Sequence, residues 1–296
     1  MKTSVKADMV LLLVTLFWGI SYILIDYSMT ELSPFNLNAL RFLIAFLAAV
    51  IAAFPKLRNV SRETLKYSAL LGFILIFVYI GVAFGVKYTS VSNAGFLCSI
   101  TVVITPVLAF LFLKQKPERK LYLVLLMAFA GVALLCLTES LKPAVGDFFC
   151  LLCSFAYAVD LIVAEIAVRK ENVDAFQVGV FQLVFCGVFQ LILSFLFETP
   201  RLPSSSGVWA SVLVLAVFCT GLAFAGQVVA QKYTSASHVG VIFALEPVFA
   251  GAAAYFFAHE VLSGRAYFGA FLLLLSVIIM EVDFSGLKRR RGKTGT

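Results

Sequence analysis

Charged residues are scarce in this chain. Asp, Glu, Lys and Arg make up 13% of its 296 residues, whereas hydrophobic residues make up 62%. A soluble domain carries about a quarter charged residues and about half apolar residues. The composition therefore excludes an ordinary soluble domain and indicates a protein that lies within a membrane.

The residues that build metal and catalytic sites are also few. The two histidines, His238 and His259, lie apart, and Cys150 and Cys153 have the spacing of a zinc or redox pair but no second pair. A buried free cysteine behaves as a small hydrophobe, so we expect packing, with no disulfide, no metal site and no cofactor. The chain also lacks Gly-x-Ser-x-Gly, His-Glu-x-x-His and P-loop motifs, so we do not expect an enzyme.

The hydrophobic residues come in blocks of about 20, the length that crosses about 30 Å of hydrocarbon as a helix. Lipid offers backbone groups no hydrogen-bond partner, so each block predicts a helix, and the blocks lack the alternation of membrane strands. We expect an all-α polytopic membrane protein of ten transmembrane helices. The predicted spans are 8–28, 34–54, 66–86, 90–113, 120–138, 146–168, 175–197, 208–230, 235–257 and 264–283.

Basic residues predict the orientation of these spans. If the N-terminus is cytoplasmic, 18 of the 23 Lys and Arg residues lie on the cytoplasmic side, four lie outside, and Arg41 lies within the second span. This asymmetry follows the positive-inside rule. It predicts a multi-pass membrane protein with both termini cytoplasmic. The basic tail, 289–296, is expected to contact anionic lipid rather than nucleic acid.

One phrase occurs twice in the chain. Residues 87–92 read KYTSVS and residues 232–237 read KYTSAS, and a proline follows each copy, Pro106 and Pro247. The repeat predicts two halves, 1–140 with helices 1–5 and 141–288 with helices 6–10. Because five spans is an odd number, the second half should run inverted. Inverted repeats are typical of secondary transporters, which bind substrate between the halves; a duplication kept only for packing is the alternative.

Four motifs occur in a characteristic order. They are Phe17-Trp18-Gly19, Leu40-Arg41-Phe42, Asn93-Ala94-Gly95-Phe96 before Pro106, and Leu245-Glu246-Pro247-Val248-Phe249-Ala250. Together they resemble the EamA family, the ten-helix branch of the drug/metabolite transporter superfamily. The resemblance implies export or exchange of small metabolites, among them amino acids and drugs, across the plasma (inner) membrane and without ATP hydrolysis. It also implies a central cavity lined mainly by spans 1, 3, 4, 6, 8 and 9.

Asp160 is the first polar residue at membrane depth to consider, because a charge there is costly and usually faces a cavity or a partner. It shares a helix face with Tyr157, three residues before it. Aligning Trp18 with Tyr157 places Ser21 opposite Asp160 and Asp26 opposite Glu165. We expect Asp160 to bind a cationic group or a proton, with a structural ion pair or a neutral buried acid as the alternative.

Glu246 precedes Pro247, and a proline both removes a helical hydrogen bond and disfavours helix at the residue before it. We therefore expect the ninth span to bend at Glu246, in a gating role or as a local pair with Arg41 or a tyrosine. Arg41 is expected to pair with a carboxylate or with helix carbonyls. His238 has either a proton role or a capping role at the inner end of that span.

The candidate site residues fall into two groups. The expected substrate-binding residues are Trp18, Ser21, Tyr22, Tyr79, Asn93, Tyr157, Asp160 and Gln227. The expected coupling or gating residues are Asp160, Glu246, Pro247, His238 and Arg41. The expected partners are a small-molecule substrate, the lipid bilayer and protons as the coupling ion, in a monomer or homodimer. A lipid flippase or passive facilitator of the same fold is the main alternative, and an intramembrane enzyme is a weaker one.

Overall fold

The computed structural model describes residues 3–89, 97–115, 119–136, 144–258 and 263–281, and all regular structure within them is helical. A single helical turn at 97–99 precedes α4, and a π-helical segment, Val217–Leu222, joins α8 to α9. The α-helices are α1 Thr3–Ser28, α2 Pro34–Leu57, α3 Arg62–Tyr88, α4 Thr101–Leu113, α5 Arg119–Cys136, α6 Val145–Val168, α7 Ala175–Phe197, α8 Ser206–Ala216, α9 Ala223–Gln231, α10 Ala236–Phe243, α11 Glu246–Ala258 and α12 Gly264–Glu281.

The helices are long and apolar enough to make this a multi-pass membrane protein. Seven helical stretches within the described residues have the length and hydropathy of a membrane span, and two shorter apolar helices, Leu97–Leu113 and Gly264–Met280, accompany them. Large apolar side chains such as Ile51, Phe112 and Phe197 remain exposed on the outer surface. An exposed apolar surface of this kind suits lipid rather than water.

Two of the predicted continuous spans are interrupted at depth. The span predicted over 208–230 contains the π-helical segment, where the backbone hydrogen bonds shift register. The span predicted over 235–257 is broken at Ala244 and Leu245, directly before Glu246 and Pro247, where the proline predicts a bend.

The packing of the helices relates the two halves of the chain. The α3 helix of the first half packs against α6 of the second half, and the α8–α9 stretch of the second half packs against α1 of the first half. Three further contacts join helices at matching positions in each half: α2 with α7, α5 with α12, and α4 with α10. Each of these contacts joins a helix of residues 1–140 to a helix of residues 141–288.

Glycines lie at two places where helices of the two halves meet. A Cβ added to Gly81 of α3 would lie 2.7 Å from the Cys153 Cβ of α6, closer than real Cβ contacts, whereas one added to Gly226 of α9 would lie 3.1 Å from Val10 Cγ1 and 3.6 Å from Val14 Cγ2 of α1. The register that aligns Trp18 with Tyr157 also aligns Val14 with Cys153. Cys153 is buried against Gly81, so it serves as a small packing residue.

Candidate functional site

Aromatic side chains from both halves meet at the centre of the bundle. The Trp18 ring of α1 lies 5.8 Å from the Tyr157 ring of α6, 5.5 Å from Phe224 of α9 and 4.8 Å from Phe243 of α10. Tyr157 and Phe243 stack with their ring centres 6.2 Å apart. Trp18 and Tyr157 occupy aligned positions in the two halves, so aligned residues meet at one place.

The π-helical segment holds two polar side chains of this cluster. The Trp18 Nε1–H donates to the Cys219 carbonyl at 3.0 Å, and Arg41 Nη2 donates to the same oxygen at 3.4 Å. Arg41 Nε donates to Thr220 Oγ1 at 2.9 Å. The shifted register of a π-turn frees a carbonyl for such outside donors, so this turn fixes the position of the Trp18 ring.

Arg41 is buried without an acidic partner among the described residues. Its guanidinium carbon lies 5.2 Å from the centre of the Tyr79 ring and 5.8 Å from that of Phe42. Of the two kinds of partner expected for Arg41, the structure has a helix carbonyl and not a carboxylate. A buried cation held by a carbonyl, a hydroxyl and aromatic faces is a supporting element of the cluster.

Glu246 and Tyr22 connect the broken ninth span to α1. The Tyr22 hydroxyl donates to Glu246 Oε1 at 2.7 Å. Gly19, one turn before Tyr22, permits this approach, because a Cβ there would lie 2.5 Å from the Phe249 Cβ and 2.8 Å from the Ala250 nitrogen. Pro247 lies in the first turn of α11, where its missing N–H costs no helical hydrogen bond.

Asp160 lies behind the aromatic cluster in a polar chain. Its side chain faces Gln227, and Asp160 Oδ1 has no hydrogen-bond partner in the described part of the chain. The Tyr157 hydroxyl donates to Gln227 Oε1 at 3.1 Å, and Gln227 Nε2 donates to Gln231 Oε1 at 3.4 Å. An unpartnered buried carboxyl oxygen is costly, which marks this position as one that another group or a proton can satisfy.

Four side chains of the cluster remain partly accessible despite their depth. Tyr22, Tyr79, Tyr157 and Glu246 are each half-buried. Glu246 interacts electrostatically with both Tyr79 and Tyr157, so the four groups lie close together. The four side chains come from α1, α3, α6 and α11, and the region between them is the candidate substrate site.

Not every expected site residue joins this cluster. The Ser21 hydroxyl donates to the Trp18 carbonyl of its own helix. His238 lies away from the cluster at the start of α10, with its Nε2 3.2 Å from Asp8 Oδ1 of α1. Asn93 lies outside the described residues. Within the described ranges, no three His, Cys, Asp or Glu side chains form a group that would hold a metal ion.

Several residues of the cluster were not expected from the sequence. Phe224 and Phe243 give no signal in an apolar run that contains many phenylalanines. The roles of Cys219 and Thr220 depend on the π-turn, which contains both residues. Hydropathy does not detect a change of hydrogen-bond register.

Comparisons with known proteins agree with this architecture. The sequence profile of the EamA-like transporter family matches the chain twice, over residues 5–137 and 144–282. An uncharacterized transporter of Archaeoglobus fulgidus is 30% identical over 280 residues, which cover 93% of this chain and 86% of the relative. The uncharacterized transporter YoaV of Bacillus subtilis is 21% identical over 293 residues, which cover 96% and 99%.

A solved crystal structure has the same fold. It superposes with a TM-score of 0.80 at 17% identity and covers 93% of this chain and 96% of its own. The chain belongs to the EamA-like transporter family, as its motifs suggested. The family and the names of the relatives indicate a membrane transporter rather than an enzyme.

Proposed function

We propose that this protein is a secondary transporter that exports or exchanges a small metabolite across the plasma membrane by alternating access. The candidate substrates are amino acids, related metabolites or drugs. The observation that carries the proposal is the contact between Trp18 and Tyr157, aligned residues of the two halves, inside a cluster of partly accessible polar groups. Transporters built from repeats bind their substrates at such an interface.

We further propose ten transmembrane helices in two five-helix halves that run in opposite directions, with both termini cytoplasmic. Support comes from the double match of the family profile and from the paired contacts of α2 with α7, α5 with α12 and α4 with α10. The basic residues of the loops support the orientation. Two inverted halves can exchange conformations, which opens the central region to each side in turn.

We propose that the substrate lies against Trp18, Tyr22, Tyr79 and Tyr157. Their aromatic faces suit an apolar or flat ligand, and the hydroxyl groups supply hydrogen bonds that fix its orientation. Gln227 supports Tyr157 through the bond to its hydroxyl. Asn93 and Ser21 remain candidate contacts in another conformation of the cycle.

We propose that Asp160 or Glu246 carries the coupling proton. Burying a charged carboxylate costs far more than burying a neutral acid, unless the charge has partners. Gln227 is a hydrogen-bond partner of the buried Asp160 side chain, but Asp160 Oδ1 has no partner among the described residues, whereas the half-buried Glu246 accepts a bond from Tyr22. Asp160 is therefore the first candidate, while Glu246 and Pro247 serve the movement of the broken ninth span.

Uptake into proteoliposomes that contain the purified protein tests the proposed function. A pool of amino acids and related metabolites is offered with and without a pH gradient, and accumulation and counterflow are both measured. We expect counterflow of at least one compound class and accumulation only with the gradient. Tyr157→Ala should abolish both, whereas Tyr233→Ala, which changes an exposed tyrosine outside the cluster, should leave both intact.

The same measurement separates the alternative functions. Counterflow without gradient-driven accumulation favours a passive facilitator. Movement of labelled lipid between leaflets, without metabolite flux, favours a flippase. Chemical conversion of an offered compound would favour an intramembrane enzyme and would contradict the proposal.

A further inference from the structure

One buried carboxylate joins three helices at one end of the bundle. Glu165 lies in the last turn of α6, and its side chain is 0% exposed. Its Oε1 accepts a hydrogen bond from Gln115 Nε2 at 2.5 Å, just beyond α4, and pairs with Arg169. Its Oε2 accepts from the backbone nitrogen of Ala236, the first residue of α10, at 2.7 Å. Glu165 therefore ties the end of α4 in the first half to the start of α10 in the second.

Burial differs between the two ends of the central region. On the Glu165 side of the aromatic cluster, Asp160 is 1% exposed and Gln227 is 0% exposed. On the other side, Tyr22 is half-buried, and Asp26, one turn beyond it on α1, is exposed. Among the described residues, the polar groups on the Glu165 side are thus buried, whereas Asp26 on the other side is exposed.

Asp26 is the counterpart of Glu165 in the other half. Each acid lies eight residues beyond its aligned aromatic residue, Trp18 or Tyr157, and therefore on nearly the same helix face. Both are carboxylates near the end of their span. In the described part of the chain, however, Asp26 has neither a hydrogen bond nor an ion pair. The two aligned acids thus occur in opposite states in one structure.

We propose that Glu165 and Asp26 are paired latches that hold the two ends of the transporter closed in turn. Glu165 stabilises the conformation described here, and Asp26 becomes buried when the opposite end closes. This proposal rests on the proposed alternating access between inverted halves. Hydrogen bonds to a charged group are among the stronger ones in proteins, so loss of a latch should shift the ratio of the two conformations by roughly tenfold to a hundredfold.

Thiol accessibility measures which end is open without any substrate. Ser237→Cys reports the Glu165 end, because Ser237 is buried in the first turn of α10. Ile25→Cys reports the other end, because Ile25 is half-buried beside Asp26. Each variant is reacted with N-ethylmaleimide in nanodiscs, and modification of the reporter peptide is followed by mass spectrometry, which separates it from the native cysteines.

Adding Glu165→Ala should speed modification of Ser237→Cys by roughly tenfold or more and slow that of Ile25→Cys. Adding Asp26→Asn should have the opposite effect on the ratio of the two rates. Gln115→Leu, which removes one partner of Glu165, should act like Glu165→Ala but more weakly, and it provides the test if Glu165→Ala does not fold. Glu171→Ala is the matched control, since Glu171 is an exposed acid at the same end.

The latch proposal is overturned if Glu165→Ala and Gln115→Leu leave both rates unchanged, or if Asp26→Asn shifts the ratio in the same direction as they do. A change equal to that of Glu171→Ala would have the same meaning. Counterflow in proteoliposomes is measured separately on the same variants. If the thiol rates change but the parent protein shows no counterflow, the proposed transport is contradicted and the latch proposal is not. If the parent protein shows counterflow but the thiol rates do not change, only the latch proposal is contradicted.

Discussion

Gly19→Ala should weaken the contact between α1 and α11 and thereby disturb the candidate site. The new Cβ would lie 2.5 Å from the Phe249 Cβ, 2.8 Å from the Ala250 nitrogen and 2.9 Å from the Phe249 carbonyl carbon. Carbon atoms in ordinary contact are about 3.5–4.0 Å apart, so the helices must separate by about 1 Å. None of the three atoms can avoid the contact by side-chain rotation alone.

The cost of this change follows from two effects. Overpacking of a well-packed interior costs about 1–3 kcal/mol. A shift of about 1 Å also stretches the 2.7 Å bond from Tyr22 to Glu246 beyond hydrogen-bonding distance, and the loss of such a bond costs about 1 kcal/mol more. We therefore expect Gly19→Ala to lower the free energy of unfolding by about 2–4 kcal/mol, together with reduced counterflow.

Two matched glycine variants make this prediction specific. A Cβ at Gly226 would meet a movable methyl group, Val10 Cγ1, at 3.1 Å, and a Cβ at Gly264 would meet nothing within 4 Å. Thermal unfolding of the purified proteins should rank Gly19→Ala as least stable, Gly226→Ala as intermediate and Gly264→Ala as close to wild type. A Gly19→Ala protein as stable as the Gly264→Ala protein would refute the argument from close approach.

Three further predictions concern charged residues. Asp160→Asn should retain counterflow but lose accumulation driven by a pH gradient; gradient-driven accumulation at the wild-type rate would exclude Asp160 as the coupling group. Arg41→Lys should lower the free energy of unfolding by about 1–2 kcal/mol, because an ammonium cannot reproduce the paired bonds to Thr220 and Cys219. In a Trp209→Phe background it should also change the fluorescence emission of Trp18, and unchanged emission would show that Arg41 does not position that ring. In the loop after α1, hydrogen bonds from Ser205 and Ser204 lower the pKa of Glu31 from 4.5 to about 2. Its contribution to stability should therefore be complete above pH 4.5 and lost as the pH falls toward 2, so the unfolding temperatures of wild type and Glu31→Gln should converge on acidification; a constant difference would contradict this.

The membrane class and the bend of the ninth span could be predicted from the sequence, because both depend on local composition. Apolar blocks of span length require helices in lipid, and Glu246-Pro247 interrupts one such block near its middle. The structure has the interruption at Ala244 and Leu245, directly before this pair. The repeated phrase predicted the two halves, and the four motifs indicated the family. Both are local features that can be read directly from the chain.

The partners of the buried polar residues could not be predicted to the same degree. The sequence left open whether Arg41 meets a carboxylate or a carbonyl, and the answer depends on a π-turn in another helix. The bond between Tyr22 and Glu246 depends on the close approach that Gly19 permits, and so on tertiary packing. The extra phenylalanines around Trp18 carry no signal of their own among the 30 in the chain.

The opposite orientation of the two halves is the central claim, and thiol labelling of intact cells tests it most directly. Lys87 and Lys232 occupy the first position of the two copies of the repeated phrase, and both side chains are exposed. Lys87→Cys should react with a membrane-impermeant maleimide in intact cells, whereas Lys232→Cys should react only after the cells are permeabilised. Reaction of both residues from the same side of the membrane would contradict the inverted repeat and, with it, the proposed alternating access.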